Sequence, residues 1–216
     1  LRSPETLFAE KAGALSQYLE GKGRPLLKLA ALLSRLSDAP IERVPDKRLE
    51  RKSRTPGEFA MNRLRASNSD IAFVERTIGC SLDALASGRK FAGPERDESN
   101  LYYFAKQWGK ELAPGLLLAG ASHAVRAGTS ELRENPLAPT VQSAFEFYVN
   151  VFAPAQRSPA LLTGDDLAKR FKLAPSPVFR NILERVEEAR VLGKIKTRQE
   201  AETLTQNLID AMRDRK

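Results

Sequence analysis

The stretch from Leu161 to Ile209 constrains the fold of this 216-residue chain most, because it carries helix start and stop signals in sequence. Thr163, followed three residues later by Asp166, is typical of a helix N-terminus. The hydroxyl caps a free backbone N–H there, and the carboxylate favours the positive end of the helix dipole. Pro177 suits the first turn of a second helix, since the N–H that proline lacks is not needed there.

Two further helices follow from the spacing of the apolar residues. The second helix places its apolar side chains on one stripe, at Val178, Phe179, Ile182, Leu183, Val186 and Ala189. Gly193 comes where a left-handed residue commonly ends a helix. Thr197 and Glu200 then form a capping box for a third helix. We therefore predict three helices in this stretch.

The same stretch resembles a known protein family. The runs LLTGDDL and ILERVEEARVLGKIKTRQEA, with Pro175-Ser176-Pro177 between them, are similar to the C-terminal segment of bacterial CCA-adding tRNA nucleotidyltransferases and bacterial poly(A) polymerases. That family usually has Pro-Gly-Pro at the proline pair. A weaker likeness continues in the same order over residues 26–125, in FAMNRLRASNSDIAFVERTI and LYYFAKQWGKELAPGLLLAGASHA. The C-terminal match contains no catalytic residue of the family, so it concerns lineage more than activity.

The run LKLAALL is followed in bacterial members of the family, and in HD phosphohydrolases, by the His-Asp pair of a metal-binding motif. Here Ser34 and Arg35 occupy those two positions. A hydroxyl and a guanidinium cannot replace an imidazole and a carboxylate as metal ligands. The single histidine, His123, is distant in sequence. We therefore predict no metal site and no phosphohydrolase activity.

Residues 58–78 have apolar residues at helical spacing and predict one or two helices. Asn68 or Ser69 is expected to cap the second of them, with Asp70 in its first turn. Shorter helical pieces are expected around Leu82–Leu85 and Phe91.

The resemblance implies an all-α fold with a multi-helix body over residues 1–155 and a small three-helix tail over 156–216. Within the body, residues 1–90 are an HD-like remnant and residues 91–155 a second helical part. Pro154–Pro159 interrupts the helical pattern and places the boundary.

The chain carries a net charge of +8, and a basic excess favours polyanionic partners. Residues 43–65 hold eight basic residues against three acidic ones, and a second basic group surrounds the first helix junction of the tail. We predict that these residues contact RNA phosphates: Arg43, Lys47, Arg48, Arg51, Lys52, Arg54, Arg63, Arg65, Lys169, Arg170, Lys172 and Arg180. The alternative for the 43–65 group is a solvated loop whose charges only maintain solubility.

The sequence lacks a phosphate-binding glycine loop, a dinucleotide fingerprint, zinc-ligand spacing and a nucleophile elbow. It also lacks the family's catalytic head, whose Asp-x-Asp pair holds two metals. We therefore predict no catalytic residue, and the resemblance implies Mg²⁺, ATP and CTP only for that head. A start at Leu1 suggests a fragment. One cysteine, no apolar run of membrane length and no signal peptide favour the cytoplasm.

The resemblance implies an RNA-binding function, with the tRNA acceptor arm as the most specific target and the family's own catalytic head as a second partner. An alternative is a helical scaffold for protein–protein contact or dimerisation derived from that family. The sequence leaves open whether the parent adds CCA, adds A alone or makes poly(A) tails. It also leaves open whether the chain forms a homo-oligomer.

Overall fold

The computed structural model describes residues 23–34, 55–128, 137–172 and 177–213. Every regular element in these ranges is helical, which confirms the all-α fold. The helices are α1 (Gly23–Leu33), α2 (Pro56–Arg63), α3 (Asn68–Ser87), α4 (Glu98–Trp108), α5 (Leu112–Ala127), α6 (Ala138–Phe147), α7 (Gly164–Arg170), α8 (Pro177–Val191) and α9 (Arg198–Arg213). A π-helical turn, Tyr148–Phe152, and a short α-helical turn, Ala153–Gln156, continue α6.

The chain divides into two compact units. Unit 1 comprises the described residues of Leu1–Arg96 and Ala105–Phe145, and unit 2 comprises those of Asp97–Phe104 and Glu146–Lys216. Unit 2 therefore contains the predicted tail together with residues 97–104 and 146–155 of the predicted body.

Close contact between α3 and α5 organises unit 1. A Cβ atom added to Gly115 of α5 would lie 2.5 Å from the Cβ of Cys80 on α3, closer than carbon atoms pack. The absence of a side chain at Gly115 therefore allows the two helices to approach. Helices α1 and α2 complete the core, whose buried members are Ala30, Leu33, Met61, Ile71, Val74, Ile78 and Leu118.

A polar network in unit 1 fastens the C-terminal end of α4 to α3. Arg76 donates to the Gln107 carbonyl at 2.7 Å, pairs with Glu111 at 3.1 Å, and lies 5.5 Å from the ring centre of Trp108. The indole N–H of Trp108 donates to Asp83 at 2.8 Å. The arginine thus satisfies a helix-end carbonyl that has no partner within the helix.

Unit 2 contains the three predicted tail helices, α7, α8 and α9. Their apolar faces share one core of Leu162, Leu167, Ile182, Val186, Ala189, Ile195, Ala201 and Ile209. Helix α8 begins at Pro177, as predicted. Its last residue is Val191, and Gly193 (φ 70°) closes its C-terminus. The N–H of Gly193 donates to the Arg190 carbonyl at 3.0 Å, and the next N–H donates to the Ala189 carbonyl at 2.8 Å. This pair of hydrogen bonds is a complete Schellman motif.

Both predicted N-terminal caps of the tail, at Thr163 and Thr197, are confirmed, and each forms a capping box. The Asp166 carboxylate accepts the N–H of Thr163 at 2.8 Å, and the Thr163 hydroxyl accepts the N–H of Asp166 at 3.4 Å. Thr197 and Glu200 make the same reciprocal bonds, at 3.1 and 3.2 Å. For α3, the predicted caps were wrong, because Ser67 accepts the N–H of Asp70 at 3.2 Å.

A buried carboxylate joins the segment 97–104 to α8 within unit 2. Glu188 is 5% exposed, and its Oε2 accepts from the Tyr103 hydroxyl at 2.9 Å and from Arg185 at 3.2 Å. Burial acts to raise the pKa of Glu188, but hydrogen bonds from Ser99, Tyr103 and Arg185 outweigh it and hold that pKa below its ordinary value. Burial and the same hydrogen bond raise the pKa of Tyr103 to about 12.

Candidate nucleic-acid interface

Half of the twelve predicted phosphate contacts lie within the described residues, and half lie outside them. Six of them lie outside the described residues and stay predictions, namely Arg43, Lys47, Arg48, Arg51, Lys52 and Arg54. Arg63 and Arg65 lie in unit 1, at the turn between α2 and α3. Lys169, Arg170, Lys172 and Arg180 lie in unit 2, at the end of α7 and the start of α8.

The turn between α2 and α3 presents two arginines to solvent. Arg63 is in the last turn of α2 and Arg65 follows the C-cap residue Leu64, and all three side chains are exposed. Neither arginine forms an ion pair with any residue in the described ranges. As far as the described residues are concerned, both charges are available to an anion in solution.

Helix α7 carries two of the predicted contacts, and both are paired with carboxylates. Lys169 lies 3.3 Å from Asp165, and the two side chains are 80% and 82% exposed. Such an exposed pair contributes about 0–1 kcal/mol to stability, so an anion can readily replace the carboxylate.

Arg170 is held more firmly than Lys169. Its guanidinium pairs with Glu202 of α9, whose side chain is 17% exposed and also accepts from Arg198 at 3.1 Å. Arg198 in turn pairs with Asp166 at the start of α7. Hydrogen bonds from Thr163 and then Arg198 lower the pKa of Asp166. The chain of pairs fastens α7 to α9, so Arg170 has a structural role, and its predicted phosphate contact stays a prediction.

Lys172 and Arg180 flank the junction between α7 and α8. Both side chains are exposed, and neither pairs with a carboxylate among the residues whose positions are described. Of the four predicted contacts in unit 2, these two have the charge most available for a phosphate. The predicted cap of α8, Ser176, lies outside the described residues.

The aromatic cluster of α4 consists of packed side chains. Tyr102 is 1% exposed and Phe104 is 4% exposed. The Tyr102 ring lies 6.1 Å from that of Phe152, which stacks on Tyr148 at 5.9 Å. Buried rings cannot stack on nucleic-acid bases, so these residues stabilise unit 2.

A groove between α2 and α3 in unit 1, whose lining includes Glu58 and Glu75, was not predicted from the sequence. Glu75 accepts from the Thr55 hydroxyl at 2.7 Å, and its other oxygen is buried against Gly57, with no hydrogen-bond partner. The Thr55 hydroxyl also caps α2 by accepting the N–H of Glu58 at 3.0 Å. Glu75 thus supports the N-terminal end of α2.

Within the described residues, no group of three or more His, Cys, Asp or Glu side chains converges in a way that could hold a metal ion. The Ser34 hydroxyl donates to the Ala31 carbonyl at 2.8 Å, and Arg35 lies outside the ranges. None of the described helices combines the length and apolar character needed to cross a bilayer.

Comparison with protein-family models, with curated proteins and with solved structures finds no significant match to this chain.

Proposed function

We propose that this chain is an RNA-binding helical module that contacts phosphates and does no chemistry alone. The observation that carries the proposal is that four of the predicted phosphate contacts are exposed and have no carboxylate partner in the described ranges: Arg63, Arg65, Lys172 and Arg180. Paired surface cations elsewhere, such as Lys169, are already partly neutralised. Cations at helix ends without such partners supply the sequence-independent attraction that dominates RNA and DNA binding.

The proposed target is tRNA, bound along its acceptor arm through the shape and phosphates of an A-form helix. This part of the proposal rests on the resemblance to CCA-adding tRNA nucleotidyltransferases and poly(A) polymerases. By the same reasoning, the family's catalytic head is a proposed partner. Mg²⁺, ATP and CTP would act at that head, and the proposed location is the cytoplasm.

A second candidate function is a scaffold for protein–protein contact or self-association. It is favoured by large apolar side chains exposed on several helices: Leu32 at 67%, Leu82 at 50%, Val125 at 65% and Val178 at 40%. Isolated exposed apolar residues are common on protein surfaces, so this candidate ranks second.

Titration of the chain with a tRNA and with an unstructured RNA of equal length, at two salt concentrations, tests the first proposal. We expect a preference for tRNA and an affinity that falls steeply with salt, because binding releases the counterions of the phosphates. The double variants Arg63→Gln/Arg65→Gln and Lys172→Gln/Arg180→Gln should each weaken binding and reduce the salt dependence.

Controls separate specific contacts from general charge. Lys28→Gln and Arg126→Gln remove exposed cations outside the predicted set and should leave the affinity nearly unchanged. The triple variant Arg51→Ala/Lys52→Ala/Arg54→Ala tests the predicted contacts that lie outside the described residues. Absence of binding to either RNA at low salt would refute the RNA-binding proposal, and concentration-dependent self-association would then support the scaffold.

A further inference from the structure

Two cationic residues adopt a backbone conformation that side chains disfavour. Arg65 has φ 55° and Lys172 has φ 52°, and they are the only described residues other than glycine with positive φ. In this left-handed region the Cβ atom crowds the backbone, so glycine is the usual occupant. Arg65 and Lys172 are both exposed, and each directly follows the C-cap residue of a helix, Leu64 of α2 and Phe171 of α7.

Other helices of the chain use glycine for the same purpose. Helix α5 ends at Gly128 (φ 69°) and α8 at Gly193 (φ 70°). At the end of α2, the N–H of Arg65 donates to the Asn62 carbonyl and the following N–H donates to the Met61 carbonyl, both at 3.1 Å. These are the same two bonds that close α8. Arg65 thus has the backbone role of a C′ glycine, although its side chain makes that conformation less favourable.

Nothing in the backbone arrangement at Arg65 requires an arginine. Its hydrogen bonds are made by main-chain atoms that glycine also has, and its side chain forms no ion pair within the described ranges. Backbone strain of this kind persists where the strained residue serves another purpose. The side chain of Arg65 is therefore the feature to be explained.

We propose that Arg65 and Lys172 each contact an RNA phosphate, and that the chain keeps these cations at the expense of backbone strain. The proposal rests on the RNA binding proposed above and identifies two residues that carry it. The competing explanation is that each positive charge only offsets the negative end of its helix dipole. In that case the side chains would affect stability and leave RNA binding unchanged.

The decisive experiment pairs thermal unfolding with RNA titration on the full chain, using Arg65→Gly and Lys172→Gly. Each glycine relieves the strain, and we expect the Tm to rise by about 2 °C. We expect the affinity for tRNA to fall severalfold in each variant, and the slope of log affinity against log salt to decrease by about one per phosphate contact. If the side chains act only on their helix ends, the Tm changes and the affinity does not.

Matched variants isolate charge from strain. Arg65→Gln keeps the strain and removes the charge, so it should lose affinity without a rise in Tm. Arg65→Lys keeps the charge and should retain most of the affinity. Gly193→Arg introduces the strain at the end of α8 and should lower the Tm. Arg126→Gln removes an exposed cation in the last turn of α5 and should leave the affinity unchanged.

The outcomes distinguish failure of this inference from failure of the proposed RNA-binding function. If the unmodified chain binds RNA and the glycine variants bind equally well, this inference is overturned while the RNA-binding function stands. A fall in Tm in the glycine variants would overturn the claim that the chain sacrifices stability at these positions. If the unmodified chain binds no RNA, the proposed function fails and this inference fails with it.

Discussion

The hydroxyl of Thr163 holds the first turn of α7, because it accepts the N–H of Asp166 and donates to the Asp166 carboxylate. We expect Thr163→Ala to lower the free energy of unfolding by about 1 kcal/mol, because a helix N–H loses its acceptor. Urea denaturation measures the change. Thr203→Ala is the matched control, since Thr203 is exposed within α9 and alanine is the better helix former there. An equal loss in both variants would contradict a capping role.

For single residues, the sequence predicts those structural roles that are marked by a pattern of neighbouring residues. The caps at Thr163 and Thr197 and the left-handed Gly193 were found because each signal lies within four residues. The cap of α3 was misplaced because three adjacent polar residues can all serve, and Ser67 does. The left-handed Arg65 was not predicted, since no glycine marks it.

Helix α5 contains two buried glycines that differ in what surrounds them. A methyl group at Gly115 would overlap the side chain of Cys80, whereas one at Gly120 would meet only Val141, at 3.9 Å. We expect Gly115→Ala to destabilise the chain by about 1–3 kcal/mol through overpacking. Gly120→Ala should stabilise it by about 0.5–1 kcal/mol through its higher helix propensity.

Urea denaturation of the two variants in parallel measures these effects. Each variant replaces glycine by alanine in the same helix, so the difference between them reports packing and not helix propensity. Stabilisation by Gly115→Ala would show that α3 and α5 can move apart at no cost. It would contradict the close contact that organises unit 1.

Among the elements, the apolar period located the tail helices. It failed for α3, which continues to Ser87 where shorter pieces were expected. The reason lies in packing, because a Cβ atom at Gly79 would lie 2.8 Å from the Trp108 ring. Gly79 interrupts the local pattern in order to accommodate a ring 29 residues further along the chain.

For the whole molecule, the bond between Tyr103 and Glu188 gives stability a dependence on pH at both extremes. The pKa of Glu188 is lowered, so its contribution is complete above the ordinary value of 4.5 and is lost as the pH falls through the folded-state pKa. The pKa of Tyr103 is raised from 10.0 to about 12, so its contribution is complete below pH 10 and is lost as the pH rises towards 12.

Glu188→Gln should therefore reduce the loss of stability that the unmodified chain shows at acidic pH. Tyr103→Phe should reduce the loss of stability at alkaline pH. Both variants should be less stable than the unmodified chain at pH 7, since a hydrogen bond to a buried charge is removed or weakened. Urea denaturation from pH 3 to 11 measures these effects. Parallel pH profiles for all three proteins would contradict the assignment.

Such long-range pairs limited what the sequence could predict about the whole molecule. The predicted boundary near Pro154–Pro159 rests on local helix breakers, while Tyr103 and Glu188 are 85 residues apart. The candidate site shows the same limit. Charge density selected Arg170 as a phosphate contact, and only the folded chain shows its ion pair with Glu202 on another helix.

The close contact of α3 with α5 makes the reactivity of one buried thiol a measure of motion in unit 1. Cys80 is the only thiol, it is buried beside Gly115, and burial raises its pKa far above neutrality. The reactive form of a thiol is the thiolate, so a thiol reagent modifies Cys80 when an opening of unit 1 exposes it. The rate of covalent labelling of Cys80 therefore measures how often unit 1 opens, and no engineered probe is needed for the measurement.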